Sequence, residues 1–349
     1  MAICEIDGFN STQSVQFDIK GNVAVIIRFV EGGAVNNLVR LIINRILWLP
    51  VMVIGVTILV FFIMSLSPID PAYSVLGENA TEAQAQAYRE AHGLNDPIIV
   101  QYGNFMAGLF QGDLGTYGAS GASVTERVME ALPVTLQLTF MGLIIGVIVA
   151  LILGVISALY RDRWPDQIIR IFSIACIATP SFWLAVLLIL AFQGVLPASG
   201  RLPNLFTDFG GWFMRMLLPA VSLGVPVAGQ LTRVVRTSMV EELDKDYVRT
   251  ALGAGIPKGV VVARNVLRNA LITPVTVLGL RIGYLIGGAV IIEVIFNLPG
   301  MGMAIVSGIQ SNYIYLVQGV VLTVAVAFII INIIVDMLYI LIDPRIRSV

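Results

Sequence analysis

The stretch Asp246–Gly259, "DYVRTALGAGIPKG", lies between two long apolar runs. It is charged at its start, small in its middle, and stopped by Gly255 and Pro257. A left-handed glycine suits a helix end, and proline cannot continue a helix. The pattern predicts a helix through "MVEELDKDYVRTALGAG" (239–255), with Glu241, Glu242 and Asp244 favouring its start through the dipole. "KGVVVARNVLRNAL" (258–271) then restarts as a second helix leading into an apolar span. The product is a helix–turn–helix elbow. Ala251, Gly253, Ala254 and Gly255 leave its tip narrow, so another protein can approach the backbone, and Arg249, Lys258, Arg264 and Arg268 ring it with charge. An ordinary basic loop near anionic lipid would have the same composition.

What surrounds the elbow is oily. The chain has 349 residues, 57% hydrophobic and 12% charged, with a mean hydropathy of +0.89. Soluble domains carry about 25% charged residues, so half the usual polar surface is missing. The composition therefore predicts an all-α membrane protein. Six segments are apolar and long enough to cross a bilayer, at about 43–66, 133–160, 168–194, 216–239, 270–296 and 316–342. Pro50, Pro133, Pro180, Pro219 and Pro226 fall in or beside them, which is tolerated where neighbouring helices re-satisfy the freed carbonyls of a packed bundle. Of the 21 Lys and Arg residues, sixteen fall on one side and four (Arg89, Arg127, Arg201, Arg215) on the other, with Arg281 within a span. The positive-inside rule puts both termini and the elbow in the cytoplasm. Acids at Glu5 and Asp7 argue against a signal peptide, so the first span is expected to stay as an anchor.

The other side carries one substantial segment, 67–132, rich in acids and with only Arg89 and Arg127 as cations. "TEAQAQAYREAHG" reads as a short helix capped by Thr81 and stopped at Gly93, "DPIIVQYGNFMAGLF" as a second, and "GDLG" (112–115) as a tight turn. A solvated loop subdomain and a docking face for an external partner fit it equally. Residues 1–37 form an N-terminal extension in which Val15, Phe17 and Ile19, then Val23, Val25, Ile27 and Phe29, alternate around Lys20-Gly21-Asn22 as in a hairpin.

Catalytic chemistry is not legible. No G-x-x-x-x-G-K-[ST] phosphate loop occurs: "GAGIPKG" lacks the Ser or Thr and the preceding strand. No H-E-x-x-H, G-x-S-x-G or paired-carboxylate pattern appears, so an enzyme reading has little support. Cys4 and Cys176 lie too far apart for an evident disulfide or metal site, His92 reads as a surface residue, and no cofactor or metal is expected. A net charge of −1 gives no case for nucleic acid. Ionisable residues in spans are costly and mark either a solute path or pairing within the bundle. The candidates are Arg281 and Glu293 in the fifth span, and Asp336 with Asn332 one turn before it in the sixth. An ion-coupled carrier would show repeated halves with interrupted helices, and no convincing repeat is visible.

"DYVRTALGAGIPKGVVVARNVLRNALITPV" resembles the cytoplasmic signature loop, or EAA loop, of ABC-importer permeases in the dipeptide/oligopeptide/nickel branch. "GLNDPIIVQYGNF" with "GDLG", "LPVTLQL", "TPSFW", "LPASGRLP", "LTRVVRTSM", "EVIFNLPGMG" and the terminal "DPRIR" are similar to the same branch, in order, across about 38–349. The long loop after span one is similar to the B-type subunit. The resemblance implies a type I ABC importer permease fold over 38–349, with a coupling loop at 240–270. It also implies a prokaryotic cytoplasmic-membrane pore shared with a C-type permease. Two cytoplasmic ATPases would drive this pore and an extracytoplasmic solute-binding protein would feed it, for peptides, nickel or sugar oligomers. The coupling helix so implied carries Tyr247, Arg249, Thr250, Ala251, Leu252, Gly255 and Ile256. Arg249-Thr250-Ala251 stands in place of the strict EAA triplet. Gly112, Asp113, Leu114 and Gly115 are the candidates for contact with the binding protein.

Overall fold

The computed structural model describes residues 31–77 and 79–342. The hairpin expected within 1–37 and the terminal "DPRIR" lie outside the described residues, while 31–37 belong to the first helix, α1 (Glu31–Ser65). Three short helices follow: α2 (Pro71–Leu76), α3 (Glu82–Ala91) and α4 (Ile98–Phe110). Thr81 and Gln84 close a reciprocal capping box at the start of α3, and Gly93 takes φ 64° beyond its end. At the "GDLG" turn, Asp113 Oδ1 accepts from the Gly115 amide at 2.8 Å. A small hairpin of β1 (Thr116–Tyr117) and β2 (Ala122–Ser123), which the sequence pattern did not announce, leads into α5 (Val124–Leu159).

The bundle continues with α6 (Trp164–Ala178), α7 (Ser181–Ala191) and α8 (Phe209–Leu243). The elbow follows, beginning with α9 (Asp246–Gly253). Its return limb is α10 (Lys258–Val260), a π-helical turn (Val261–Val266) and α11 (Leu267–Ala270). Last come α12 (Ile272–Phe296), α13 (Met301–Gln310) and α14 (Ile314–Ile342). Among the described residues, five helical stretches are long and apolar enough to cross a membrane, or up to seven if each bent pair counts as one span. The expected six lies within that range. The third expected span is broken: α6 and α7 meet at 104°. Pro180 has no amide to bond back, and the residue before it is pushed out of the helical region, so Thr179 is extended at ψ 117°. A second bend of 68° separates α12 from α13, a helix too short and glycine-rich to stand out in the sequence.

The core lies between α5, α8 and α12, where Leu138, Met216, Leu223, Leu285, Ile292 and Phe296 are buried. Glycines of α5 at Gly142, Gly146 and Gly154 bring its backbone against α8. Arg215, counted from the sequence among outer-loop cations, is instead buried inside α8. It donates to the carbonyls of Phe296 at 2.6 Å and Ala198 at 2.9 Å, so a cation meets the carboxyl end of α12.

The segment between α1 and α5 has its own ionic joint. Arg89 of α3 donates to Asp70 at 2.6 Å and to Glu82 at 2.8 Å, and Tyr73 donates to Glu82 at 2.6 Å. Burial alone would raise the pKa of Asp70, but Arg89 and the Ala72 amide outweigh it and hold the carboxyl below its usual range. The Tyr73 hydroxyl and Arg89 hold Glu82 low as well. Depressed carboxylates stabilise above their unfolded values near pH 4 and lose that contribution as pH falls through the folded values. Amide exchange in α2 and α3, compared with α5, is therefore expected to accelerate below about pH 4, and Arg89→Met should remove the dependence. A flat profile down to pH 2 in the unaltered chain would refute the joint.

Candidate functional site

The elbow forms where α8 stops. The chain turns at Asp244 and Lys245, so Glu241 and Glu242 end α8 and do not start α9, and Asp246 is the acid in the first turn of α9. This corrects the single helix expected over 239–255. The reason is tertiary. Arg161, from the connection after α5, donates to Asp244 at 2.8 Å, while Glu242 accepts from Tyr247 at 2.8 Å and pairs with Lys245. Val248 is buried with Ala158, Val235, Met239, Val261, Val262, Val266 and Ala270. That apolar seat sets α9 across the ends of α5 and α8.

The far end of α9 closes by backbone bonds. The Gly255 amide donates to Leu252 O at 3.0 Å and the Ile256 amide to Ala251 O at 3.2 Å, the two bonds of a Schellman cap. Gly255 holds φ 80°, where an L side chain is strained, and nothing lies within 4 Å of where its Cβ would be. Of the coupling residues expected from the sequence, Tyr247 and Ala251 are half-buried and face the seat. Burial and the Glu242 bond push the Tyr247 hydroxyl pKa up. Arg249, Thr250, Leu252, Gly255 and Ile256 are exposed. Leu252 is 41% exposed, Ile256 43% and Val260 48%, and Arg249 and Lys258 of the same stretch are exposed too. A cleft of about 250 Å³ opens beneath Leu252, lined by Leu159, Arg161, Leu243 and Asp244.

Behind the elbow lies a constellation that the sequence reading missed. Asp166, at the start of α6, is fully buried. It accepts from Arg236 Nε and Nη2 at 2.6 Å each, Ser157 Oγ at 2.5 Å and the Asp162 amide at 2.9 Å. One carboxylate thus joins α5, α6 and α8 just below α9. The only sequence signal was an acid in the first turn after Arg163; its partner is 70 residues away.

The remaining candidates scatter. Glu293 is buried and its Oε2 accepts from the Gly302 amide at 2.7 Å, while Thr135 Oγ1 accepts from the Met301 amide at 2.9 Å. Both satisfy the first amides of α13, where a carboxylate is favoured. Arg281 is half-buried in α12, twelve residues before Glu293 and so about 18 Å along the axis. The side chains of Val335 and Phe328 abut Gly279 and Gly283, which puts Arg281 level with half-buried Asn332 on α14. The Asp336 side chain lies outside the described residues. In the "GDLG" turn, Gly112 and Asp113 are exposed, whereas Leu114 and Gly115 are half-buried against α14 through Gly319 and Tyr315.

Fold and site together define a polytopic helical membrane protein with a rigid, exposed helical corner at one end of its bundle. Residues 142–348 match the family described as binding-protein-dependent transport system inner membrane component, and residues 38–139 match its N-terminal companion model. The chain belongs to this family of ABC importer permeases. It is 37% identical to the probable D,D-dipeptide transport system permease protein DdpB of Escherichia coli K12, over 85% of this chain and 94% of that one. A putative peptide transport system permease protein of Brucella abortus is 38% identical over 86% and 96%. The glutathione transport system permease protein GsiC of Pectobacterium atrosepticum is 36% identical over 87% and 98%.

Proposed function

We propose that this chain is one of two permease subunits in the pore of an ATP-driven peptide importer. It crosses the cytoplasmic membrane six times, with both termini and the elbow in the cytoplasm. The relatives' peptide and glutathione cargoes support peptide as its solute class. The chain carries no nucleotide site of its own, so energy arrives through partners: a C-type permease beside it, two ATPases below it and a solute-binding protein above the 67–132 segment, touching Gly112 and Asp113.

One observation carries the coupling role. Leu252, Ile256 and Val260 are exposed on the elbow, and on this reading of the topology that corner stands in the cytoplasm, where an apolar patch calls for a protein partner. An apolar patch rimmed by Arg249 and Lys258 on a capped helix fits a groove in another protein. Gly255→Arg places its side chain in open space and Leu252→Glu alters a residue that is 41% exposed, so membrane insertion should be unchanged. Each is expected to weaken co-purification of the ATPase subunits at least tenfold, about 1.4 kcal/mol or more. ATP-driven uptake at the unaltered rate in both variants would refute the docking role.

A further inference from the structure

The polar residues that the elbow and its supporting ion pair leave unused gather in one place. Helix α8 buries Val227, Ala228, Leu231, Val235 and Met239 on one side. On the other, Gln230, Arg233, Thr237 and Glu241 recur at three- and four-residue steps and share an arc of about 80° at 100° per residue. Arg233, Thr237 and Glu241 are exposed, as is Thr273 at the start of α12. Together with Ser238 they line an open groove of about 440 Å³ between α8 and α12. Among the described residues, neither Arg233 nor Glu241 forms an ion pair, although their neighbours Arg236 and Glu242 both do.

Arg233 lies within the fourth apolar stretch and Glu241 just beyond its end, so a face that carries both unpaired charges is disfavoured against lipid, where a charge costs roughly 2.5–3.5 kcal/mol at the centre of a span and less toward its ends. Nor does it suit a dry protein seam, where unpaired buried charge is costlier still. Water satisfies it. We propose that this groove is the cytoplasmic half of the solute path and that it receives zwitterionic solutes, Arg233 meeting the carboxylate and Glu241 the ammonium. The two residues are eight apart, about 12 Å along the helix. That is close to the roughly 10 Å between the charged ends of an extended tripeptide. The inference rests on the reading of the chain as half of a peptide-importing pore, and it differs from the Arg281–Glu293–Asn332–Asp336 set in placing the path on α8.

The test uses the assembled importer in proteoliposomes, nucleotide-free, with Cys4 and Cys176 replaced by serine. Single cysteines are placed by Gln230→Cys and Thr237→Cys in the groove and by Ile171→Cys on the exposed apolar face of α6. A charged methanethiosulfonate reacts with the thiolate, so a thiol raised by two pKa units out of water reacts about 100-fold slower. Both groove cysteines are expected to react at least that much faster than Cys at 171; equally slow reaction would overturn the path. In the second arm, Arg233→Gln is expected to cut Ala-Ala-Ala uptake per ATP hydrolysed at least tenfold, with Arg233→Lys restoring most of it. Unchanged uptake in Arg233→Gln would overturn the zwitterion assignment. Absence of ATP-dependent Ala-Ala-Ala uptake by the unaltered importer would instead sink the peptide reading, while the cysteine rates still decide whether the groove is a water-filled path.

Discussion

Asp166→Ala is expected to destabilise the folded chain by about 3–5 kcal/mol, the usual cost of removing one partner of a buried ion pair. The Asp166 carboxylate is fully buried and receives four hydrogen bonds, from Arg236 Nε and Nη2, Ser157 Oγ and the Asp162 amide. Its loss strands a guanidinium that is only 20% exposed and orphans two further donors. Since whole domains are stable by only about 5–15 kcal/mol, a loss of this size should show as failure to accumulate in the membrane. Asp166→Asn keeps the shape but turns an amide toward the Arg236 donors, so it should recover little. Asp166→Leu combined with Arg236→Met removes both charges and should recover most of the loss, because apolar replacements of buried pairs are often neutral. Melting of the purified chain in detergent measures the series. A single Asp166→Ala variant within about 0.5 kcal/mol of the parent, the range of ordinary surface changes, would sink the account.

The same ion pair marks where sequence reading fails. Arg236 counted only among the cytoplasmic-side cations, and Asp166 carried no pattern that singled it out. Nothing local joins two residues 70 apart, and burial is a property of the assembled bundle. The elbow was legible because its determinants are local: Pro257 forbids continuation and Gly255 supplies the left-handed cap. Its beginning was misplaced because "SMVEELDKDYVRT" contains no breaker. The break at Asp244 is made by Arg161 from another part of the chain and by the burial of Val248. Pro180 announced an interruption but not a bend of 104°. Glu293 was singled out as an ionisable residue within a span. Its partners, the Gly302 amide and the turn after left-handed Asn297, could not be seen without α13. The α8 ridge of Gln230, Arg233, Thr237 and Glu241 was legible in principle, since its spacing is helical; its charges had been assigned wholesale to the cytoplasmic side.

Gly224→Val should strongly destabilise the bundle. A Cβ at Gly224 would stand 2.5 Å from the Gly142 carbonyl oxygen, a backbone atom that cannot swing aside. The seam is tight from the other side as well: a Cβ at Gly146 would lie 3.1 Å from Gly224 O, and one at Gly154 would lie 2.6 Å from Val235 Cβ. Gly142, Gly146 and Gly154 follow the four-residue spacing by which helices in membranes approach backbone to backbone. There association depends on van der Waals contact, because lipid chains are as apolar as the side chains they replace. Valine at 224 must therefore push α5 and α8 apart along the seam that carries Leu138, Leu223 and Val227. Overpacking alone costs about 1–3 kcal/mol, and a gap opened along two long helices forfeits further contacts. Gly103→Ala in α4 is the matched control, since nothing lies within 4 Å of that site. It should be neutral or stabilising by up to about 1 kcal/mol through helix propensity. Thermal melting in detergent should separate the two by several kcal/mol. Equal melting of Gly224→Val and Gly103→Ala would show that α5 and α8 are not held by close backbone contact.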